Sequence, residues 1–127
     1  MPSTSTILGT LSQYVDPHWE PLHDLVGVDL AGWFMWMFEI ELADQSRVQA
    51  YKHVSTRRYF HLAEDGRAFA YKGEGRYVEI DRRDAIDAAF DGWEEVLPEG
   101  EDAAVVRDAL RRARVAAGTV RSRREGG

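Results

Sequence analysis

The chain has 127 residues, 44% hydrophobic and 30% charged, the length and composition of one globular domain and too short for two. It contains no cysteine, which excludes disulfides, thiolate metal centres and cysteine nucleophiles. Its net charge of −6 is unevenly spread: residues 1–46 carry seven acids and no Lys or Arg, 47–83 nine bases and five acids, and 84–127 seven bases and ten acids. The acidic total argues against a nucleic-acid partner, and the basic middle keeps one in view.

The opening "MPSTSTILGTLSQ" has neither the basic start nor the apolar stretch of a secretory signal, and residues 1–12 read as a disordered start. A single α+β domain is expected over 13–118, followed by a basic flexible tail at 119–127. Pro17 and Pro21 limit the segment before Trp33 to short helical turns. The longest apolar run, Leu30 to Phe38, is about half of the roughly 20 residues a spanning helix needs, so no membrane contact and a cytoplasmic location are expected.

From Trp33 the pattern becomes that of strands, at 33–43, 47–54, 58–63, 67–72 and 76–80. The breaks "DQS", "STR", "EDG" and "GEG" read as three-residue hairpin loops, two with Gly at the third position, where a left-handed residue is wanted. Two helices follow. The first begins with Asp81 as N-cap and carries Ile86, Ala89, Phe90, Trp93 and Leu97 on one face, and Pro98 and Gly100 end it. The second, from Glu101 to Gly118, has a shallow stripe of Val106, Ala109, Leu110, Ala113 and Ala117. The fold class expected is thus α+β, a five-stranded antiparallel meander followed by two α-helices, one packed across the apolar sheet face.

Three-residue loops throughout would align Ile40, Ala50, Leu62, Ala68 and Ile80 in one wholly apolar row. Phe34, Trp36, Phe38 and Leu42 join that face, and the helix bearing Phe90 and Trp93 is the element to cover it. The opposite face then presents Glu39, Tyr51, His61, Phe69 and Glu79 in one row and Met37, His53, Tyr59, Tyr71 and Tyr77 in the next, with Trp33 and Met35 beside them.

That second face carries the leading functional expectation, a small binding or protein-interaction module whose ligand, protein partner or second copy meets these aromatic residues. His61, with Glu39 or Glu79 to orient it, is the candidate acid/base pair of a small enzyme. The ladder is equally what a covered sheet face looks like. A nucleic-acid surface would use Arg57 and Arg58, with Arg67 and Arg76, and the C-terminal cations Arg111, Arg112, Arg121, Arg123 and Arg124. His18 and His23 lie among Asp16, Glu20 and Asp24, residue types that suit a divalent metal, but their spacing of five fits neither one helical face nor a finger pattern. No cofactor motif is present: "KGEGR" falls between two strands and reads as a hairpin rather than a phosphate loop.

Overall fold

A computed structural model describes residues 6–13, 15–93 and 101–126, with side chains described from Ala103 to Gly118 in the last segment. The α+β class holds, and the sheet has one more strand than expected. β1 (Thr6–Leu11) pairs with both β2 (Phe34–Leu42) and β6 (Arg76–Ile80), closing a six-stranded antiparallel barrel through β3 (Arg47–His53), β4 (Tyr59–Ala63) and β5 (Ala68–Gly73). Residues 6–11, read as part of a disordered start, are therefore the closing strand. Closure satisfies the backbone groups that a five-stranded meander would leave open on both edges.

Among the described residues there are three helices: α1 (Glu20–Ala31), α2 (Arg82–Ala89) and α3 (Glu101–Gly126). α1 exceeds the short turns expected before Trp33. Pro21 sits in its first turn, where a missing N–H has no helical partner to lose, and the helix is broken once, at Gly27 with φ 86°. α2 starts where expected: the Asp81 carboxylate accepts from the backbone N–H of Arg83 at 2.8 Å and of Asp84 at 3.4 Å. It stops at Ala89, earlier than the helical face drawn through Leu97, and Leu97, Pro98 and Gly100 lie outside the described residues. The helical backbone of α3 runs on to Gly126, through most of the segment read as a flexible tail.

Two local irregularities overturn the expected faces. The loop between β3 and β4 has four residues, Val54–Arg57, with Arg57 at φ 67°, and is closed by the His53 N–H donating to the Arg58 carbonyl. That extra residue pairs Ala50 with His61 and Gln49 with Leu62, where Ala50 with Leu62 was expected. Because side chains alternate, it turns β4, β5 and β6 over relative to β3. The second irregularity is a bulge between Trp36 and Phe38, which sends Phe34 and Trp36 to the opposite side of the sheet from Phe38 and Ile40. The β2–β3 loop starts one residue early, at Ala43, and shifts the pairing by two, which leaves faces unchanged.

The result is two cores. Outside the barrel, Phe34, Tyr51, Phe60, Leu62 and Ala68 are covered by Leu22, Leu25 and Leu30 of α1, Ile86 of α2, Phe90 and Trp93 after it, and Leu110 of α3. The α3 stripe is placed as expected, with Ala109, Leu110, Ala113 and Ala117 buried. Each large apolar side chain buried there contributes about 1.5–3 kcal/mol gross. Inside the barrel, Ile40, Leu42, Val48, Ala50, Ala63, Phe69 and Tyr77 form a smaller cluster. The single apolar row expected from the sequence is split between the two.

Candidate ligand-binding site in the barrel mouth

The barrel interior is not filled from end to end. At one end it opens into a cavity of about 440 Å³, lined by Phe38, Tyr59, His61, Tyr71 and Tyr77, with Ile40 at its base and β1 along one side. β1 comes in close beside the cavity because Gly9 has no side chain. Gly9 pairs with Leu42 and faces inward, and a Cβ there would lie 2.7 Å from Ile40 Cγ2 and 2.9 Å from Leu42 Cδ2. The opposite side is built by register: the one-residue lengthening of the β3–β4 loop is what turns Tyr59 and His61 inward.

The rings form a connected group. His61 lies flat on Tyr59, with centroids 5.5 Å apart and planes at 10°, and meets Tyr77 edge-on at 5.4 Å. Tyr71 and Tyr77 are 5.0 Å apart, and Phe38 lies 6.3 Å from Tyr59. Burial disfavours the imidazolium and pushes His61 down to about 4, so the ring is neutral at pH 7. Burial, then the neighbouring Tyr71, raises the pKa of Tyr77, which stays a neutral phenol. The Tyr71 hydroxyl accepts from the Gly75 N–H at 3.2 Å. The Tyr59 and Tyr77 hydroxyls and the His61 ring nitrogens have no hydrogen-bond partner among the described residues.

Of the aromatic face expected from the sequence, Tyr59, His61, Phe69, Tyr71 and Tyr77 do share one side, the barrel interior. Met37, at the bulge, packs half-buried against the same interior cluster, and Met35 is exposed. Trp33, Tyr51 and His53 do not join them. Tyr51 is fully buried on the helix-covered side, its hydroxyl donating to the His18 carbonyl. His53 is enclosed by Phe34, Phe90, Trp93 and Trp33, at centroid distances of 4.9, 5.3, 4.6 and 6.4 Å. Its Nδ1 accepts from the Ser55 and Thr56 N–H groups at 3.0 and 3.1 Å, so it holds the four-residue loop in shape.

The expected pairing of His61 with Glu39 is also corrected, because the altered register puts them on opposite faces. Glu39 is instead buried in a polar chain: Trp36 Nε1–H donates to Gln49 Oε1 at 2.8 Å, and Gln49 Nε2–H donates to Glu39 Oε2 at 2.9 Å. Glu79 shares the row of His61 but is separated from it by Phe69. No carboxylate of the described residues lines the cavity.

The remaining candidates are dispersed. His18 binds Glu64 at 2.9 Å and Glu20 at 3.2 Å, and these hydrogen bonds outweigh burial to raise its pKa. His23 stacks on Trp19, and the described residues contain no group of three metal-ligating side chains. Arg58 pairs with Asp91, Arg67 with Asp44 and Asp65, and Arg111 and Arg112 with Asp108. Arg76 caps the carbonyls of Lys72 and Gly73, and Arg57 occupies the β3–β4 turn. The side chains of Arg121, Arg123 and Arg124 lie outside the described residues.

Sequence reasoning missed Gly9, Leu11 and the mouth position of Phe38. A signal was present in "TILGTL", where Ile7, Gly9 and Leu11 alternate, but the glycine hid the period. No helix among the described residues is long and apolar enough to cross a membrane. No family model, curated protein or solved structure matches the chain.

Proposed function

We propose that the protein is a small binding module whose ligand is a small molecule held in the barrel mouth. The observation that carries this reading is the open cavity of about 440 Å³, whose walls combine aromatic surface with unpaired hydroxyl and imidazole groups. Small-molecule sites are typically concave, mostly apolar, and furnished with a few polar groups that fix orientation. Curling the tyrosine row into the barrel favours a small ligand over a protein partner or a second copy, since only Tyr59, Tyr71 and Met35 of that set remain substantially exposed.

The nucleic-acid reading gains less support, because Arg58, Arg67, Arg111 and Arg112 face carboxylates of the same chain. An acid/base role for His61 gains less as well, for want of a carboxylate to orient it.

A fragment screen followed by protein NMR tests the proposal. Compounds that bind are expected to shift the ring protons of Tyr59, His61, Tyr71 and Tyr77. A set of binders that all leave these resonances unmoved would overturn it.

A further inference from the structure

The chemistry of the cavity wall restricts what it can hold. Among the described residues its side chains include no formal charge: the polar ones are three tyrosines, one histidine and Thr10. The Lys52 ammonium sits 5.8 Å over the Tyr59 ring centroid and is not itself among the lining residues. Arg76 is turned to the carbonyls of the β5–β6 turn. An ionic ligand drawn in past Lys52, beyond Tyr59, would give up its hydration among lining residues that carry no charge to oppose it, a transfer that is strongly unfavourable without a partner.

Shape adds a second restriction. Tyr59 and His61 form a parallel slab, and Tyr71 and Tyr77 lie tilted at 45° to each other beside it. Such walls favour a flat ring, which can stack on one surface and meet the other edge-on. A volume of about 440 Å³ lies at the lower end of the usual range for small-molecule sites. The third restriction is polar: the Tyr59 and Tyr77 hydroxyls and the His61 nitrogens have no partner among the described residues, and a purely hydrocarbon occupant would supply none.

We infer that the occupant is an uncharged aromatic or heteroaromatic molecule of one or two rings with a hydrogen-bonding edge, stacked along the Tyr59–His61 wall. This rests on the small-ligand reading and narrows it. His61, neutral, can donate or accept at the inner end of the site, and the two hydroxyls can do the same from either side.

The test uses the full chain at pH 7 and five matched probes: phenol and indole, the charged aromatics benzoate and benzylammonium, and the non-planar alcohol cyclohexanol. Titrations are followed by the ring-proton shifts of Tyr59, His61 and Tyr77. Phenol and indole are expected to bind with dissociation constants on the order of a millimolar, usual for probes of this size. The charged aromatics should bind roughly tenfold more weakly or worse, and cyclohexanol several-fold more weakly than phenol. Charged or non-planar probes binding as well as phenol would overturn the ligand class and leave a small-molecule site standing. If none of the five moves these resonances, the ligand class and the site both fall.

Discussion

The imidazole of His61 lies parallel to the ring of Tyr59 at 5.5 Å inside the barrel, two residues apart on one strand and facing the same way. Across β3 the next inward residue is Ala50, whose small side chain leaves the imidazole room. Aromatic stacking and a neutral, buried imidazole account for the tight packing of this wall without any charge in it. Replacing His61 by Phe keeps the stack and removes the ring nitrogens. The expected result is a change in stability within about 1 kcal/mol, read by urea denaturation, with weakened binding of phenol and indole.

Gly9 sets how closely β1 approaches β2. Gly9→Ala places a Cβ within 3 Å of the ends of Ile40 and Leu42, so the barrel must spread or those side chains must turn. A loss of about 1–3 kcal/mol is expected, together with reduced probe affinity. Unchanged thermal stability would mean that β1 sits further from β2 than described.

Stability should fall as pH drops through the histidine range. Burial lowers both His53 and His61 to about 4, while in the unfolded chain they titrate near 6.5. Between these values the unfolded chain binds protons that the folded chain does not, so stability declines from about pH 6.5 to about pH 4 and these two groups add nothing further below that. The loss amounts to at most about 3 kcal/mol per histidine. His18, raised by its carboxylate partners, works in the opposite sense, its contribution being full below 6.5 and lost as pH rises through its folded pKa. Asp44, held low chiefly by hydrogen bonds from Ser46, contributes above the usual carboxylate range and loses this only in stronger acid, outside the histidine window. Denaturation curves at pH 7 and pH 5 test this, and His61→Phe should flatten the slope by about half.

The buried chain from Trp36 through Gln49 to Glu39 depends on its middle member. Gln49→Leu removes the acceptor of the indole N–H and the donor to a carboxylate that is only 5% exposed. A loss of about 2–4 kcal/mol is expected in urea denaturation, most of it from leaving the Glu39 carboxylate with only the Arg47 guanidinium, 4.0 Å from its other oxygen. A double variant that also carries Glu39→Leu should recover part of the loss.

Asp81 caps α2, and α2 carries Ile86 into the outer core. Asp81→Ala should lower the unfolding free energy by about 1 kcal/mol. Asp81→Ser, whose hydroxyl can accept the same backbone N–H groups, is expected to lose less than Asp81→Ala.

Much of the local structure was legible. β2 to β6 fall within a residue or two of the runs read from alternation, the "EDG" loop closes as expected with Ala63 donating to the Arg67 carbonyl, and Ala68 pairs with Ile80. Asp81 as a cap and the Ala109, Leu110, Ala113 stripe were equally visible, because capping and helical period are properties of neighbouring residues. The site was half legible. Tyr59, His61, Phe69, Tyr71 and Tyr77 were placed on one face, since β4, β5 and β6 are joined by short turns that the sequence marks clearly. Tyr51, His53 and Trp33 were assigned to that face and lie on the other.

The sequence by itself determined that strands at these places would form and that five of them would run as an antiparallel meander, because turn residues and two-residue alternation act over a few bonds. Tertiary structure alone decided the sixth strand, the bulge after Trp36, the four-residue loop and hence which way each tyrosine points. A loop of three or four residues costs nearly the same locally, yet the choice reverses every side chain beyond it. The preference comes from burying Leu62, Phe60 and Ala68 under the helices while Gly9 brings β1 close enough to close the barrel. That balance exists only when all the elements are in contact.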